Sequence, residues 1–443
     1  MDERQLPPSL QEIASCVNGY DPKSLPVAQA QEFIARLVPK VRAVEMLALR
    51  SALGRVLARD VVSTFNVPAH DNSAMDGYAF RGSDLSADAE TVLHVAGSAF
   101  AGQAGQADTA SAAPGQCVRI MTGAVMPAEL DTVVPQEFCQ IDDDKVTIPP
   151  GIVRTGDNRR LKGEDLAEGD AALVAGRVLR PADLGMLASL GQAEVPVFRR
   201  LRVAFFSTGD ELRSIGEGLP AGCVYDSNRY TLWGMLARLG VELIDLGVVK
   251  DDPAALEATF LAAARDADAV ITSGGVSVGE ADHTKMVMAK LGDVLFWRIA
   301  MRPGRPMAIG RISTDKSAGA EGAGHSVILF GLPGNPVAVM VTFYALVRDA
   351  LLAMSGATAQ PMPLLRAASV EAMRKKPGRT EYQRGIVTRS ADGAGFEVRI
   401  TGSQGSGILR SMSEANGLVV LHHGQGNVAA GELVDVLPFD GLV

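Results

Sequence analysis

The sequence predicts a multidomain protein of the α/β plus β class. The chain has 443 residues, which is more than one compact core usually organises, and 47% of them are apolar. Strand-like runs alternate with helical runs between about residues 201 and 354, whereas short strand-like runs dominate before and after that stretch. We therefore expect a three-layer α/β domain with a largely parallel sheet, a small β domain before it and a C-terminal β-barrel after it.

The region before the α/β pattern is predicted to combine helices with the small β domain. Residues 1–23 are predicted to form a loose tail. Apolar residues recur at helical spacing over 26–38 and 44–62, which predicts two helices in an elongated N-terminal region. Short strand-like runs separated by Gly, Ala and Pro then predict the small β domain. The polar, turn-rich stretch 152–184 is predicted to return to the helical region.

In the middle of the chain, four strand-like runs alternate with four helical runs. After residue 361 the helical spacing disappears, and strand-like runs alternate with Gly and Asn. The predicted strands are 203–207, 241–249, 269–273 and 327–332, and the predicted helices are 230–239, 253–265, 281–291 and 336–354. The low-complexity segment 314–325 is predicted to be a surface insertion.

Charge and cysteine content exclude several classes of protein. The net charge of −9, without a long Lys/Arg run, argues against a general nucleic-acid binder. No apolar run reaches the roughly 18 residues of a membrane span, and the first 25 residues lack the apolar segment of a secretory signal. The four cysteines form no CxxC pair, which favours a reduced cytoplasmic protein over a zinc or disulfide framework.

A glycine-rich loop follows the predicted strand 269–273. In SGGVSVGEADHTK, Gly274 and Gly275 allow backbone N–H groups to approach an anion such as phosphate, and Asp282 near the next helix start is suited to hold Mg²⁺ against it. Ligands of parallel sheets bind at the carboxyl ends of the strands, which is where this loop is predicted to lie. The alternative is an ordinary glycine turn with Asp282 as a helix cap. The loop matches neither the P-loop nor the dinucleotide fingerprint.

Acidic residues follow two further predicted strands. Glu211 lies in STGDEL and Asp251 in KDDP, and each alone fits a turn or a helix cap. Three acidic strand ends in one sheet, however, indicate a cation, because clustered carboxylates repel one another without one. Arg302 and Arg305 in MRPGRP provide donors for a tetrahedral oxyanion. The alternative for this pair is solvated surface charge.

Several long motifs, in order along the chain, carry a family resemblance. They are PAHDNSAMDGYAF, RIMTGAVMP, GED, STGDEL, YDSNR, SGGVSVGEADHTK, GLPGNPVAV and TEYQRG. The chain resembles the MoeA/gephyrin E-domain family from about residue 26 to its end. The resemblance implies an elongated homodimer whose active cleft lies between the α/β molybdopterin-binding domain of one subunit and the small β domain of the other. It also implies that molybdate is inserted into adenylylated molybdopterin, with Mg²⁺ participating and AMP released.

The resemblance implies roles for individual residues and boundaries for the domains. The residues implied to be catalytic are Asp71, Thr122, Asp165, Glu211, Asp251 and Asp282, the first two acting from the partner subunit. The residues implied to bind the pterin substrate are Gly274, Gly275, Ser277, Arg298, Gly334 and Asn335. The residues implied to bind molybdate are Arg302, Arg305, Arg384 and Ser406, and those implied to bind Mg²⁺ are Asp251 and Asp282. The expected boundaries are a tail 1–23, a discontinuous dimerisation domain 24–60 and 152–184, a small β domain 61–151, an α/β domain 185–362 and a C-terminal barrel 363–443.

Two departures from the family pattern concern the anion site. The family often has Lys where this chain has Arg298, Arg302 and Arg305, so that a planar fork of donors replaces a point charge. Relatives often have Ser where this chain has Ala338, and a hydroxyl contact at that position is absent here.

Two other functions remain open at this level. The first is a pterin adenylyltransferase or nucleotide hydrolase on the same α/β module, against which DNSAMDGY and the C-terminal β segment argue. The second is a scaffold of the gephyrin kind, for which an extra domain or long linker is expected. Expected partners are a second copy of the chain, the upstream adenylyltransferase and acceptor molybdoenzymes, without nucleic acid or membrane.

Overall fold

The computed structural model describes residues 9–102, 112–276, 283–313, 326–360 and 362–439. Ser277, Asp282 and the predicted insertion 314–325 lie outside these residues, so their predicted roles stay predictions.

The described part of the N-terminal segment is folded. Helix α1 begins with a capping box, in which Ser9 N–H donates to Glu12 (2.7 Å) and Glu12 N–H donates to Ser9 Oγ (3.2 Å). Leu10 and Ile13 are buried in the largest hydrophobic core of the molecule. The prediction of a loose tail is therefore wrong for residues 9–23. The helices of this segment are α1 (Leu10–Ser15) and α2 (Val27–Leu37).

The second predicted helix, over 44–62, is wrong. Val44–Ala48 is a strand, β1, that pairs antiparallel with β12, Glu194–Phe198, and Leu49–Ala52 is a short 3-10 turn. Gly54 then adopts φ +73°, which ends any helical path. Side chains along β1 alternate between exposed and half-buried, as in a strand with one face covered. Pairing with a strand far away in the chain therefore outweighed the helical spacing of the local sequence.

A linker module is built from β1, β12 and the segments around them. Its core contains Leu57, Leu187 and Val195. It comprises residues 44–62 and 166–198, and the elongated region is thus more strand than helix. Its remaining elements are β2 (Val61–Val62), β11 (Ala171–Leu173) and α3 (Pro181–Ser189).

The small β domain is a six-stranded sheet with a hydrophobic cluster on each face. The strand-like runs predicted in this region are confirmed as strands. The order across the sheet is β7-β4-β6-β5-β9-β8, and β10 pairs with β3 beside it. The strands are β3 (Asn72–Ser73), β4 (Gly77–Phe80), β5 (Thr91–Ala99), β6 (Gln116–Ile120), β7 (Thr132–Pro135), β8 (Gln140–Asp142), β9 (Lys145–Ile148) and β10 (Arg159–Arg160), with 3-10 turns at Gly82–Asp84 and Gln136–Phe138.

The α/β domain has the three layers that the sequence predicts. The strand order across the sheet is β16-β13-β17-β21-β20-β18. The first four strands are parallel, and each of the last two is antiparallel to the strand before it in this order. The two antiparallel strands were not predicted, and they make the sheet mixed. Helices α5 and α6 cover one face, while α4, α7 and α2 cover the other. The strands are β13 (Arg202–Thr208), β16 (Glu242–Val249), β17 (Ala269–Ser273), β18 (Gly292–Arg298), β20 (Pro306–Ser313) and β21 (Ser326–Leu332), with a separate pair β14 (Leu212–Arg213) and β15 (Val224–Tyr225). The helices are α4 (Ser227–Arg238), α5 (Pro253–Asp266), α6 (His283–Leu291), α7 (Pro336–Thr342) and α8 (Arg348–Met354), the last two joined by a π-helical turn Phe343–Val347.

The C-terminal region is a closed five-stranded barrel. The strand order β23-β24-β22-β26-β25 closes where β25 pairs with β23, and β19 from the α/β domain adds to β23 outside the ring. A short helix, α9, lies between two barrel strands, so the prediction that helices are absent after residue 361 is wrong. The elements are β19 (Met301–Arg302), β22 (Leu365–Ser369), β23 (Thr380–Arg389), β24 (Phe396–Ile400), α9 (Leu409–Glu414), β25 (Gly417–Leu421) and β26 (Leu433–Pro438).

Helix α2 packs on the α/β domain. Phe33 meets Trp297 edge to face at 5.0 Å between ring centroids, and Trp297 Nε1–H donates to the Tyr20 hydroxyl at 2.8 Å. The helical stretch Pro336–Met354 is long and apolar enough to cross a membrane, but 72% of its most apolar part is buried inside the protein. It is the core helix of this domain. The domain boundaries themselves stay a prediction.

Candidate active site

The carboxyl ends of the four parallel strands meet at one edge of the sheet. Ser207 is in register with Ser273, and Ser273 with Leu332, so the loops that follow these strands lie side by side. A cavity of about 690 Å³ opens there, closed on one side by residues of the barrel. This is the edge at which parallel sheets bind their ligands.

The glycine loop after β17 forms the floor of the cavity. Gly274 and Gly275 have φ values of +98° and +66°, which favour glycine. A Cβ at Gly274 would lie 2.5 Å from Thr208 O, and one at Gly275 would lie 2.4 Å from Thr284 Oγ1. Glycine at both positions is therefore required by the close packing of strand β13 and helix α6. The Gly274 N–H donates to Leu332 O at 3.1 Å.

Two arginines enter the cavity from a tight turn. Gly304 at the centre of this turn has φ +97°, and a Cβ there would lie 2.3 Å from Thr342 Oγ1 of α7. Arg302 is 4.0 Å from the buried carboxylate of Glu381, while Arg305 has no ion-pair partner among the described residues. Both side chains are exposed, and their donors are available to an anion.

A barrel loop closes the cavity, and Arg384 holds that loop. Gln404, Gly405 and Ser406 line the cavity. The buried Arg384 guanidinium donates to Gly405 O (2.9 Å), and its Nε–H donates to Ser411 Oγ (3.0 Å). Burial, and then the positive charge of Arg302, lower the pKa of Arg384 to about 10. Arg384 therefore lies behind the residues that line the cavity, and its charge interacts with that of Arg302.

Two carboxylates line the opposite side of the cavity. Asp251 Oδ1 accepts from the hydroxyls of Thr208 (3.2 Å) and Thr284 (3.4 Å), and Glu211 follows the end of β13. These oxygens fit Mg²⁺, which is usually held by one or two carboxylates together with water and substrate phosphates. Among the described residues, no group of three or more His, Cys, Asp or Glu has the geometry of a metal cage.

A second cluster forms in the small β domain. Asp71 Oδ2 accepts from Arg159 Nε–H (2.8 Å) and Oδ1 from Lys162 N–H (2.7 Å). The Lys162 N–H, together with Arg159, lowers the pKa of the Asp71 carboxyl despite partial burial. The loop that carries Asp165 is attached beside it, since Asp165 N–H donates to Val67 O at 3.1 Å.

Thr122 is held by a carboxylate that the sequence did not single out. Its N–H and its hydroxyl both donate to Asp76 Oδ1, at 2.7 and 2.6 Å, and lower the pKa of that carboxyl. Asp71 O accepts from Met126 N–H at 2.9 Å, which ties the Thr122 loop to the Asp71 loop. Asp71, Thr122 and Asp165 therefore lie on three adjoining loops.

The structure divides the predicted site residues into groups. Arg298 does not line the cavity. Its neighbour Trp297 on strand β18 is buried, so Arg298 lies on the opposite, exposed face of that strand. Asp71, Thr122 and Asp165 do not line this cavity within the chain either. The residues that line it are Glu211, Asp251, Gly274, Gly275, Arg302, Arg305, Gly334, Asn335 and Ser406.

Asn228 is a lining residue that sequence reasoning missed. Its Nδ2 donates to Ser273 Oγ (2.8 Å) and Gly334 O (2.7 Å), joining two of the loops that form the cavity. Its Oδ1 is buried without a hydrogen-bond partner in the described part of the chain. The motif YDSNR contained this residue, but no spacing rule marked its amide. Thr208 and Gln404 were missed for the same reason.

Three family models match the chain one after another. Residues 25–191 match the MoeA N-terminal region (domain I and II), residues 204–353 match a probable molybdopterin binding domain, and residues 366–439 match the MoeA C-terminal region (domain IV).

Similar proteins cover nearly the whole chain. A molybdopterin molybdenumtransferase of Haemophilus influenzae is 41% identical over 420 residues, which cover 95% of this chain and 100% of that protein. One from Nostoc sp. is 36% identical and covers 93% of each chain. The crystal structure of the molybdopterin biosynthesis moeA protein from Pyrococcus horikoshii OT3 superposes with a TM-score of 0.76 at 26% identity, over 94% of this chain and 100% of that one.

Proposed function

The chain belongs to the MoeA family of molybdopterin molybdenumtransferases, and on that premise we propose that it inserts molybdate into adenylylated molybdopterin and releases AMP. One observation carries the proposal for this chain. A single cavity at the carboxyl edge of the sheet combines a glycine loop, exposed arginines and two carboxylates. Phosphates, an oxyanion and a divalent cation each find suitable groups there.

We place molybdate beside Arg302, Arg305 and Ser406. The protein carries a net charge of −9, so a dianion must be captured by short contacts. Two exposed guanidinium groups on one rigid turn, with a hydroxyl opposite, provide such contacts. Arg384 supports this site by holding the loop of Ser406 and by adding positive charge from below.

We place Mg²⁺ at Asp251, with Asp282 as its second ligand. When bound, Mg²⁺ neutralises charge on the phosphates of the adenylylated substrate. The Thr208 and Thr284 hydroxyls orient the Asp251 carboxylate toward this position. Release of AMP cleaves the bond between the AMP phosphate and the molybdopterin phosphate, and negative charge is left on both. The Gly275 N–H, in the loop that adjoins Thr208 and Thr284, stabilises that charge as well, whereas the Gly274 N–H donates to Leu332 O at 3.1 Å.

We propose that the working enzyme is a homodimer with a composite site. Asp71, Thr122 and Asp165 adjoin one another but do not line the cavity of their own chain, which supports their acting in that of a partner. Tyr230 and Trp233 on α4, which are 46% and 52% exposed, offer apolar surface to a partner. A cytoplasmic location, and exchange of substrate and product with the upstream adenylyltransferase and acceptor molybdoenzymes, follow from this function.

The proposal is tested by AMP release from adenylylated molybdopterin over a range of molybdate concentrations. In an Arg302→Gln, Arg305→Gln protein, the molybdate concentration for half-maximal rate should rise at least tenfold, because each lost charge-assisted hydrogen bond contributes about 1.5–3 kcal/mol. Arg410→Gln is the matched control, since Arg410 is 87% exposed and pairs with Glu414 on α9.

Two results would contradict this assignment. If the parent protein released no AMP, the chain would be a binding protein or scaffold. If the double variant kept the parent's molybdate dependence, molybdate would bind elsewhere.

A further inference from the structure

A second cavity, of about 560 Å³, lies between the linker module and the α/β domain. It shares no lining residue with the active-site cavity. The two sides are held together at a close backbone contact, where Thr358 N–H donates to Gly176 O at 2.8 Å. Gly176 has φ +86°, and a Cβ there would lie 2.3 Å from Thr358 Oγ1. The cavity is thus part of a tightly built junction.

Each side of the junction contributes a pair of arginines. Arg177 and Arg180 of the linker module share one buried carboxylate, Asp183, at 2.7 and 3.9 Å. On the other side, Arg238 ends α4 and Arg348 begins α8.

Arg238 and Arg348 both line the cavity. Burial raises the pKa of the Tyr344 hydroxyl, and the positive charges of both arginines oppose that rise. Arg348 also contacts Asp349 at 2.6 Å. Four arginines and Asp349 thus line the cavity, and Asp183 pairs with two of those arginines, so positive groups outnumber carboxylates among the described residues around it.

Part of this donor capacity is unused by the described residues, because the exposed Arg238 has no ion-pair partner among them. Like charges concentrated at one place repel each other unless an anion joins them. Val178, Leu239 and Leu352 supply an apolar wall beside these donors.

We propose that this cavity binds a small organic phosphate monoester. Its dianionic phosphate has enough acceptor oxygens for both arginine pairs, whereas one carboxylate has only two. Its organic part lies on the apolar wall, and the volume suits a ligand of that size. Since the two pairs belong to different modules, the bound phosphate stabilises the arrangement of the linker module on the α/β domain.

The test is calorimetric titration of the full chain with phenyl phosphate. Arg238→Gln should weaken binding at least tenfold, because it removes donors that no ion pair engages, and Arg238→Lys should weaken it less. Arg302→Gln, which alters the active-site cavity, should leave the Arg238-dependent part of this binding unchanged, and so should Arg410→Gln. Benzoate, with the same ring and one carboxylate, should bind at least tenfold more weakly than phenyl phosphate. Thermal unfolding of each variant confirms that it is folded.

Three results would overturn the proposal. The first is absence of phenyl phosphate binding to the parent protein. The second is binding that Arg302→Gln abolishes and Arg238→Gln leaves unchanged, which would assign it to the active-site cavity. The third is equal binding of benzoate and phenyl phosphate, which would exclude a site built for phosphate. Because the readout is binding, these results are independent of whether the chain transfers molybdenum.

Discussion

At the scale of single residues, the active-site cavity depends on groups whose positions are fixed by close packing. Gly274, Gly275 and Gly304 lie where a Cβ would collide with a neighbouring strand or helix. Sequence motifs identified these glycines and the residues beside them. They did not identify Asn228 or Asp76, because the value of an amide or carboxylate as a positioning group depends on partners far away in the chain.

Asp251→Asn tests the cation site at this scale. The asparagine Oδ1 can still accept from Thr208 and Thr284, so the fold should be retained while the negative charge is lost. The Mg²⁺ concentration needed for half-maximal AMP release should rise by about tenfold to a hundredfold. Asp142→Asn, on an exposed strand of the small β domain, is the control and should behave as the parent. An unchanged Mg²⁺ dependence in Asp251→Asn would remove this residue from the site.

At the scale of elements, periodicity predicted the α/β domain well and the N-terminal region poorly. Each predicted strand and helix of the parallel part is present, because βαβ units combine continuous apolar strands with long helices. The helix predicted over 44–62 is instead strand β1 and a turn, since pairing with β12, some 150 residues away, outweighs local spacing. The antiparallel strands β18 and β20 were missed for a similar reason.

Helix α1 provides a prediction about stability. Leu10 and Ile13 are fully buried against the α/β domain, so Leu10→Ala or Ile13→Ala should lower the free energy of unfolding by about 2–5 kcal/mol. Gln11→Ala, on the exposed side of the same helix, should change it by no more than about 0.5 kcal/mol. Denaturant unfolding measures both. If the two core variants unfold like the parent, α1 contributes nothing to the fold.

At the scale of the whole molecule, the chain contains two sets of predicted site residues that do not line a common cavity within the chain. The cavity residues lie at the edge of the α/β sheet, and the cluster of Asp71, Thr122 and Asp165 lies in the small β domain. Sequence motifs predicted both sets, and the family resemblance supplied the idea that they face each other across a dimer. Spacing along one chain carries no information about contacts between two chains, so this arrangement needs a direct measurement.

The most direct measurement is AMP release by mixed dimers of Asp71→Asn and Asp251→Asn, after exchange of subunits, at a Mg²⁺ concentration that supports the parent protein but not Asp251→Asn. A composite site predicts that each mixed dimer has one intact site, so an equal mixture should recover about a quarter of the parent activity, because half of the random dimers are mixed. Each variant alone should stay inactive. If the mixture stays inactive although subunit exchange is verified, each site lies within one chain and the account is wrong.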